Sequence, residues 1–365
     1  MKKKIIMTTQ VFIVNEDTFS AHLKYMFAGT SSGKMDWNIS LLADIKRVRT
    51  GDKVIFYHEG VGFYGIFKIK DNKNNINGKN IIYYDKDNYC DGMLGKKLLY
   101  RVLIEPDEVY SNPVSEWEAL EKLPNNPRDV IWSLIYRKLK GGRGCSPVTP
   151  KESEKLIQLI RKNNTRPIEN VQSLIWENDR IVSKSGEIRR YDASNAKEIN
   201  IEDILYSKRT IETYLQAYFT ENAGNPSLDD SMFADICGKS NEIIWLGNEF
   251  YCGVGMQKID VFTIKNNENK KFNVIELKTK PDSYIDHQLE RYVKWCREYL
   301  SETTKENLQP IIVVPQLPDK TYTNEIKQKI LPNFNNTHKN MCQPVKWYEF
   351  CFNEEKKIRF DKVEY

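Results

Sequence analysis

One apolar segment carries charged side chains where a buried strand should have none. It reads Phe272-Asn-Val-Ile-Glu-Leu-Lys-Thr-Lys280. Because side chains alternate along a strand, Glu276 and Lys278 share one face with Val274, while the alternate face is apolar. Burying an acid and a base within a sheet costs several kcal/mol unless each finds a partner or a metal ion. We therefore expect an internal strand whose charges meet a counter-charge.

A second apolar strand lies just upstream and carries Asp260, sixteen residues before Glu276. If the two strands form a hairpin, both carboxylates converge beside Lys278. Mg²⁺ is commonly held by one or two carboxylates together with water and substrate phosphate. Such an ion activates water and stabilises charge on phosphate oxygens, while a lysine can orient or deprotonate the water or neutralise charge. The competing interpretation is a surface hairpin with an ordinary Glu276–Lys278 salt bridge, and the pattern alone does not choose.

Two predicted helices add polar residues to this set. The helix over residues 285–300 carries Gln288 and Tyr292, which are four apart and so lie on one face. The helix over about residues 210–221 carries Glu212 among apolar positions. Taken alone, Gln288 and Tyr292 would more often be helix-surface and core residues than parts of an active site.

Residues 205–315 contain these features in an order that resembles the RecB-type branch of the PD-(D/E)XK nucleases, and most closely the archaeal-type NucS/EndoMS nuclease domain. The matching set is Glu212, Gly255 with Asp260, Glu276-Leu-Lys278, and Gln288 with Tyr292. The resemblance implies an α/β restriction-endonuclease-like fold in the carboxy-terminal half.

The same resemblance implies a role for each residue of the set. Asp260 and Glu276 would ligate the metal, and Lys278 would be the catalytic lysine. The helix pair Gln288 and Tyr292 would support the site or the DNA, and Glu212 joins the catalytic set. The implied cofactor is Mg²⁺, with Mn²⁺ as a substitute.

The amino-terminal half resembles the PUA-like superfamily, in particular its EVE and YTH branches. The resembling stretches, in order, are Val11–Asn15, Gly51–Tyr57, Phe63–Phe67 and the loop Gly141–Gly144. The resemblance implies a β-barrel with helices, an α+β domain that holds a flipped, modified base in an aromatic pocket.

Four residues are candidates for that reader site. Trp37 lies in a polar stretch, where the spacing of apolar residues does not predict a core position for it. Tyr57 ends a predicted strand, and Asn15 follows the first strand. Stacking on an aromatic face offsets part of the cost of unstacking a base. Arg143 is a candidate phosphate contact. The alternatives stay open: both aromatics as core residues, and Arg143 as a solvated arginine in a glycine-rich turn.

The chain is predicted to have two domains, a reader domain over 1–165 and a nuclease domain over 201–365, joined by a polar linker over 166–200. A helix start near the end of the first domain is well marked. Thr149 is the expected N-cap, Pro150 the first helical residue, and Glu152 completes a capping box.

Composition excludes several other classes. The 365 residues carry a net charge of +5, which is weak support for nucleic acid. The seven cysteines form no CxxC pair and the four histidines no HxxxH or HxH pair, which disfavours a zinc site, a disulfide framework and histidine-based metal chemistry. No run of about 18 apolar residues occurs. The expectation is a cytoplasmic protein without a membrane partner.

The combined expectation is a Mg²⁺-dependent, modification-dependent DNA endonuclease, a hydrolase of restriction or defence. Its partner would be double-stranded, modified DNA, and one active site per chain favours a homodimer for double-strand cleavage. One alternative is a NucS-like nuclease for the repair of mismatched or branched DNA. The other is a non-catalytic protein that binds modified nucleic acid.

Overall fold

The structure, a computed structural model, describes residues 8–30, 39–70, 82–84, 98–121, 144–169, 171–186, 189–252, 257–266, 270–280, 282, 284–318 and 321–365. The chain divides into two compact units between Ile199 and Asn200. Both units mix helices with sheets. Within the described ranges, no helix is long and apolar enough to cross a membrane.

The first unit contains ten strands and four helices in its described part. In chain order they are β1 (Thr9–Val14), α1 (Glu16–Tyr25), β2 (Phe27–Thr30), α2 (Ile39–Lys46), β3 (Lys53–His58), β4 (Gly62–Ile69), β5 (Tyr83–Tyr84), β6 (Tyr100–Pro106), α3 (Glu116–Glu121), β7 (Cys145–Val148), α4 (Pro150–Lys162), β8 (Ser173–Glu177), β9 (Arg180–Lys184) and β10 (Lys197–Glu198).

Eight of these strands form one sheet in the order β10-β5-β6-β4-β3-β1-β7, with β2 paired to β6. The path has an end at β10 and another at β7, so the described strands do not close into the predicted barrel. β1 runs parallel to β3, and the other neighbours on the path are antiparallel.

The predicted hairpin of β3 and β4 is present. Its turn needs glycine at position 62, where φ is +154° and a Cβ would lie 2.2 Å from the carbonyl oxygen of Val114. That carbonyl instead accepts a hydrogen bond from the main-chain amide of Phe63 at 2.7 Å. The close approach fixes the segment before α3 against β4.

The start of α4 is as predicted. Thr149 accepts a hydrogen bond from the amide of Glu152, whose carboxylate accepts one from the amide of Thr149, and Pro150 begins the helix. This reciprocal pair satisfies two amides that a helix start leaves without partners.

Residues 166–200, which we predicted to be a linker, fold onto the first unit. Ile175 pairs with Val182 in the two-stranded sheet of β8 and β9. Trp176 stacks on His58 with ring centres 4.4 Å apart, and its indole N–H donates to the Tyr64 hydroxyl at 3.2 Å. The linker prediction was wrong because this hairpin buries few side chains, which leaves its sequence polar.

The second unit contains six strands and six α-helices in its described part. In chain order they are α5 (Ile201–Leu205), α6 (Glu212–Asn222), α7 (Met232–Cys237), β11 (Ile243–Tyr251), β12 (Lys258–Asn266), β13 (Lys270–Leu277), α8 (Ile285–Tyr299), β14 (Leu308–Pro315), α9 (Thr321–Glu325), α10 (Leu331–His338), β15 (Lys346–Phe352) and β16 (Ile358–Val363). A 3₁₀ turn covers Pro226–Leu228, and a π-helical segment covers Ile326–Ile330.

The six strands form one sheet in sequence order, from β11 to β16. The three central strands, β13, β14 and β15, are parallel, and the outer pairings are antiparallel. Parallel neighbours need crossover connections, which α8 supplies between β13 and β14. Ile311–Val314 is buried throughout, as predicted for a strand covered on both faces. The carboxyl ends of the three parallel strands lie at one edge of the sheet, here called the carboxyl edge.

Candidate active site

The register of β12 and β13 brings the two predicted metal ligands to neighbouring positions. Val261 pairs with Ile275 in this antiparallel ladder, so Asp260 and Glu276 stand at the next position on a shared face. Both side chains are buried, at 8% and 1% exposure. One carboxylate oxygen of Asp260 accepts a hydrogen bond from the main-chain amide of Leu277 at 2.8 Å. The two carboxyl groups therefore meet where β13 ends, at the carboxyl edge.

Lys278 joins the same cluster. Its ammonium lies 2.5 Å from Oε1 of Glu276, and its main-chain amide donates to the carbonyl of Val313 on β14. Burial alone would lower the pKa of Lys278, but the surrounding carboxylates outweigh it and raise that pKa. The lysine is thus held as a cation among acids.

Glu212 reaches the cluster from the first turn of α6. Burial raises its pKa to about 7, with Lys278 acting in the opposite direction and Glu276 raising it further. Glu212, whose place in the site was predicted from the family resemblance, therefore interacts with the charges of Glu276 and Lys278 on and after β13.

The cluster holds more negative than positive groups. Burial raises the pKa of Asp260 well above its usual value, and the carboxylates of Glu276 and Glu212 add to the shift. Burial also raises the pKa of Glu276, against the opposing effect of the Lys278 ammonium. Three carboxyl groups thus share one ammonium, and additional positive charge would stabilise their ionised forms.

The donor set fits a hard divalent cation in part. Oε2 of Glu276 is buried and has no hydrogen-bond partner in the structure as described, so its lone pairs are available to a ligand. All the candidate donors are carboxylate oxygens, which Mg²⁺ and Mn²⁺ prefer. The described residues contain no group of three or more histidine, cysteine, aspartate or glutamate side chains arranged to hold a metal ion. Asp260 and Glu276 could supply two ligands, and water and substrate phosphate would have to complete the shell.

Helix α8 places its two predicted residues differently. Tyr292 is buried, and burial together with the charges of Glu276 and Asp260 raises the pKa of Tyr292 far above its usual value. Its hydroxyl therefore stays protonated beside the carboxylates. Gln288 lies one turn earlier on the same face, and its side-chain oxygen is buried without a hydrogen-bond partner in the described structure.

Two buried amides that sequence analysis missed tie α6 to the sheet. Gln216 lies one turn after Glu212, and its Nε2 donates to the main-chain carbonyl of Asp260 at 3.2 Å. Its Oε1 accepts from Nδ2 of Asn248 on β11 at 3.1 Å. The two amides hold the start of α6 against the strand that carries Asp260. Gln216 stands between Leu215 and Ala217 in an otherwise apolar part of the helix, which was the available signal.

Glu249 is a second residue that sequence analysis missed. Its φ of +46° is uncommon for a residue other than glycine. Its carboxylate lies 2.5 Å from the ammonium of Lys258, and it is among the charges that raise the pKa of Glu212. Glu249 therefore adds negative charge on the β11 side of the cluster.

Two of the four candidate reader residues, Tyr57 and Asn15, lie in the described structure, and both have other partners there. Tyr57 is 2% exposed, packs on Phe63 at 4.8 Å, and donates its hydroxyl to Glu116 at 3.1 Å. It is a core residue with no face open to a base, which was the alternative interpretation. Asn15 caps α1, its Oδ1 accepting from the amide of Thr18 at 3.1 Å, so this acceptor is occupied. Trp37 and Arg143, like Gly255 of the glycine–aspartate motif, lie outside the described residues.

No family model and no curated protein matches this chain. Among solved structures, part of the chain is similar to the NMR structure of Rpa0253 from Rhodopseudomonas palustris. The likeness covers 42% of this chain and 92% of that chain at 20% identity, with a TM-score of 0.25. At that score the likeness supports neither a fold nor a function, so the candidate site is judged from its own geometry.

Proposed function

We propose that the protein is a Mg²⁺-dependent endodeoxyribonuclease whose second unit is a nuclease of the PD-(D/E)XK type. The observation that carries the proposal is the buried meeting of Asp260, Glu276 and Lys278 at the carboxyl edge, with one oxygen of Glu276 left without a partner. Ligands of α/β sheets commonly bind at the carboxyl ends of parallel strands.

Each residue of the cluster has a distinct role in this proposal. Asp260 and Glu276 would hold the cation, which when bound activates water and stabilises charge on the phosphate. The ammonium of Lys278 would orient the attacking water or neutralise charge on a phosphate oxygen. Tyr292 and Gln288 would support the carboxylates from α8, and Glu212 from α6.

The test is cleavage of DNA by the purified protein with Mg²⁺, with Mn²⁺, and with a chelator. Asp260→Asn, Glu276→Gln and Lys278→Met should each lower the cleavage rate on the order of 1000-fold, because several kcal/mol of transition-state stabilisation are lost. Glu302→Gln is the matched control. It removes an acid of the same unit whose ion pair with Lys270 is exposed, and it should keep the wild-type rate.

A folded wild-type protein that cuts no DNA with either metal would contradict the proposal. If that protein still bound DNA, the non-catalytic alternative would replace it. Cleavage restricted to mismatched or branched DNA would favour the repair alternative.

We further propose that the first unit selects modified DNA. This part rests on the resemblance of its strands to PUA-like domains and not on Tyr57 or Asn15, which serve the core and a helix cap. Digestion of matched DNAs that are unmodified, cytosine-modified or adenine-methylated tests it. Equal cutting of all three would remove the reader role and leave the nuclease proposal standing. Double-strand cleavage with one site per chain suggests a homodimer, which sedimentation in the presence of DNA would test.

A further inference from the structure

A cavity of about 570 Å³ lies in the second unit, beside the end of β15 at the same carboxyl edge as the candidate active site. Its volume falls in the usual range for small-ligand sites. Aromatic and aliphatic side chains form its walls, among them Tyr206, Tyr218, Phe352 and Ile358. Lys356 and Lys357 of the turn between β15 and β16 stand at its rim.

Strand order and register together set the separation between this cavity and the catalytic cluster. β13 ends at Leu277 and β15 ends at Phe352, and the two strands run parallel with β14 between them. Leu277 is level with Val313, and Val313 with Tyr348, so Phe352 lies two strands across and four residues farther along, a separation of about 17 Å. The chain between Tyr206 on the cavity wall and Glu212 in the cluster is also short, at six residues. A polymer that crosses the carboxyl edge at one site would therefore reach the other.

The wall nearest the turn combines an aromatic ring with cations. Tyr206 meets Phe352 edge to face at 5.4 Å between ring centres. The guanidinium of Arg209 lies 5.0 Å from the Tyr206 ring centre, and the ammonium of Lys356 lies 5.5 Å from it. Aromatic rings together with Lys and Arg side chains are a common surface for single-stranded nucleic acid, and here a base would stack on Tyr206 in place of the Lys356 side chain.

Carboxylates at the same rim decide which form of nucleic acid fits. Glu202, Asp203 and Glu355 balance the charges of Arg209, Lys356 and Lys357, so the cavity carries little net charge. A duplex, with phosphates on both strands, would meet these acids. A single base would meet them through its amino groups, which can donate to a carboxylate. The ion pair between Glu355 and Lys357 spans 3.7 Å and is exposed, so it opposes a phosphate only weakly.

We propose that this cavity is a nucleotide subsite that holds one unpaired nucleotide of the substrate strand. The base lies beside Tyr206 and Phe352, with the buried Tyr218 behind them, and its phosphate faces Lys356 and Lys357. The inference rests on the proposed nuclease function and adds to it a preference for DNA with an unpaired or extruded nucleotide near the cut.

The experiment measures binding by fluorescence anisotropy, with Ca²⁺ replacing Mg²⁺ to prevent cleavage. The probes are a labelled short duplex with one unpaired deoxyadenosine, whose amino group can donate to the rim carboxylates, and the matched, fully paired duplex. Tyr206→Ala, Tyr206→Leu and the double variant Lys356→Ala/Lys357→Ala should each weaken binding of the first probe about tenfold, consistent with the loss of one stacked base or of phosphate contacts. Binding of the paired duplex should stay within about twofold.

Lys270→Ala/Lys271→Ala is the matched control, because it removes two adjacent lysines at the opposite end of β13. It should leave the affinity for both probes unchanged, and the exposed Lys356 and Lys357 can be replaced without disturbing the core. If the cavity variants bind both probes like wild type while Asp260→Asn abolishes cleavage, the subsite is wrong and the nuclease proposal stands. If wild type binds neither probe and cuts no DNA, both proposals fail.

Discussion

Two buried carboxylates differ in how completely they are hydrogen bonded. Asp52 in the first unit is fully buried and accepts hydrogen bonds from two main-chain amides and from Nε2 of Gln10. Glu276 in the second unit accepts from Lys278 through one oxygen, and its other oxygen has no partner in the described part of the chain. A carboxylate with full partners stabilises the fold, whereas one with an open lone pair can take a ligand.

A buried histidine gives the first unit a pH dependence. His22 stacks on Phe56 at 5.4 Å, and burial, aided by the charge of Arg101, lowers the pKa of His22 from 6.5 to about 3. Between about pH 6.5 and pH 3, His22 binds a proton in the unfolded chain but stays neutral in the folded chain. The free energy of unfolding therefore falls as the pH drops below 6.5. We expect His22 to account for a loss of about 2 kcal/mol by roughly pH 5. Denaturant unfolding at neutral pH and at pH 5 measures this loss of stability.

The comparison variant is His22→Gln, which stays neutral at every pH in this window. It should show a smaller loss of stability between neutral pH and pH 5 than wild type does. His287→Gln replaces an exposed histidine of the second unit and should keep the wild-type loss. Equal pH dependence in wild type and His22→Gln would show that this histidine does not cause it.

Tyr57 is expected to matter for stability and not for DNA. Tyr57→Phe keeps the packing against Phe63 but removes the hydrogen bond to Glu116, which should lower the free energy of unfolding by about 1 kcal/mol. Discrimination between modified and unmodified DNA should be unchanged. A selective loss of binding to modified DNA in a variant of normal stability would return Tyr57 to the reader site.

At the residue scale, sequence identified the charges of β13 but not the roles of Asn15 and Tyr57 in the first unit. Glu276 and Lys278 were visible because each interrupts an apolar run, which is costly without a reason. Asn15 and Tyr57 were not separable from ligand contacts, because a capping asparagine and a core tyrosine occupy the same kinds of position along the chain as pocket residues do. Only the hydrogen bonds of Asn15 and the burial of Tyr57 distinguish the two.

At the element scale, one side chain links α6 directly to the strand that carries Asp260. Gln216 contacts the main chain of Asp260 and the side chain of Asn248, so it fixes Glu212 relative to the β12 carboxylate. Gln216→Ala should lower Mg²⁺-dependent cleavage about 10- to 100-fold, as is usual for residues that orient metal ligands. Higher Mg²⁺ should recover part of the rate, which a cleavage assay over a Mg²⁺ titration measures.

Asn273→Ala provides the control for Gln216→Ala. Asn273 is a buried amide of β13 that donates to the carbonyl of Ile236 on α7 at 2.8 Å. Its loss should lower stability by a similar amount without changing the Mg²⁺ dependence. If the two variants lose cleavage equally at every Mg²⁺ concentration, Gln216 acts only through stability.

Elements with strong local sequence patterns were predicted correctly, and a half-exposed element without such a pattern was not. The β14 run and the capped α4 were predicted because continuous apolar residues and a capping box are strong local signals. The hairpin of β8 and β9 was taken for a linker because only Leu174 and Ile181 are fully buried in it. A half-exposed hairpin that packs mainly through Trp176 shows little alternation of apolar and polar residues, so its sequence does not predict two strands.

At the scale of the whole molecule, sequence predicted the mixture of helices and strands and the presence of two units. It did not predict that the described strands of the first unit form an open sheet and not a closed barrel. The contact of Asp260 with Glu276 was predictable because their strands are consecutive, and consecutive strands commonly pair. The contact of Gln216 with Asn248 spans 32 residues and joins a helix to a strand. Such a contact depends on how the helix packs, which no local pattern encodes.

The hydrogen bond from residue 277 to Asp260 has a consequence for sequence variation. Its donor is the main-chain amide of Leu277, so the bond belongs to the backbone and not to the leucine side chain. Valine or isoleucine at this position would keep the donor, and among the standard residues proline alone would remove it. The strand's main chain, whatever the side chain at position 277, therefore orients the Asp260 carboxylate. We expect relatives of this chain to vary at position 277 without losing that orientation.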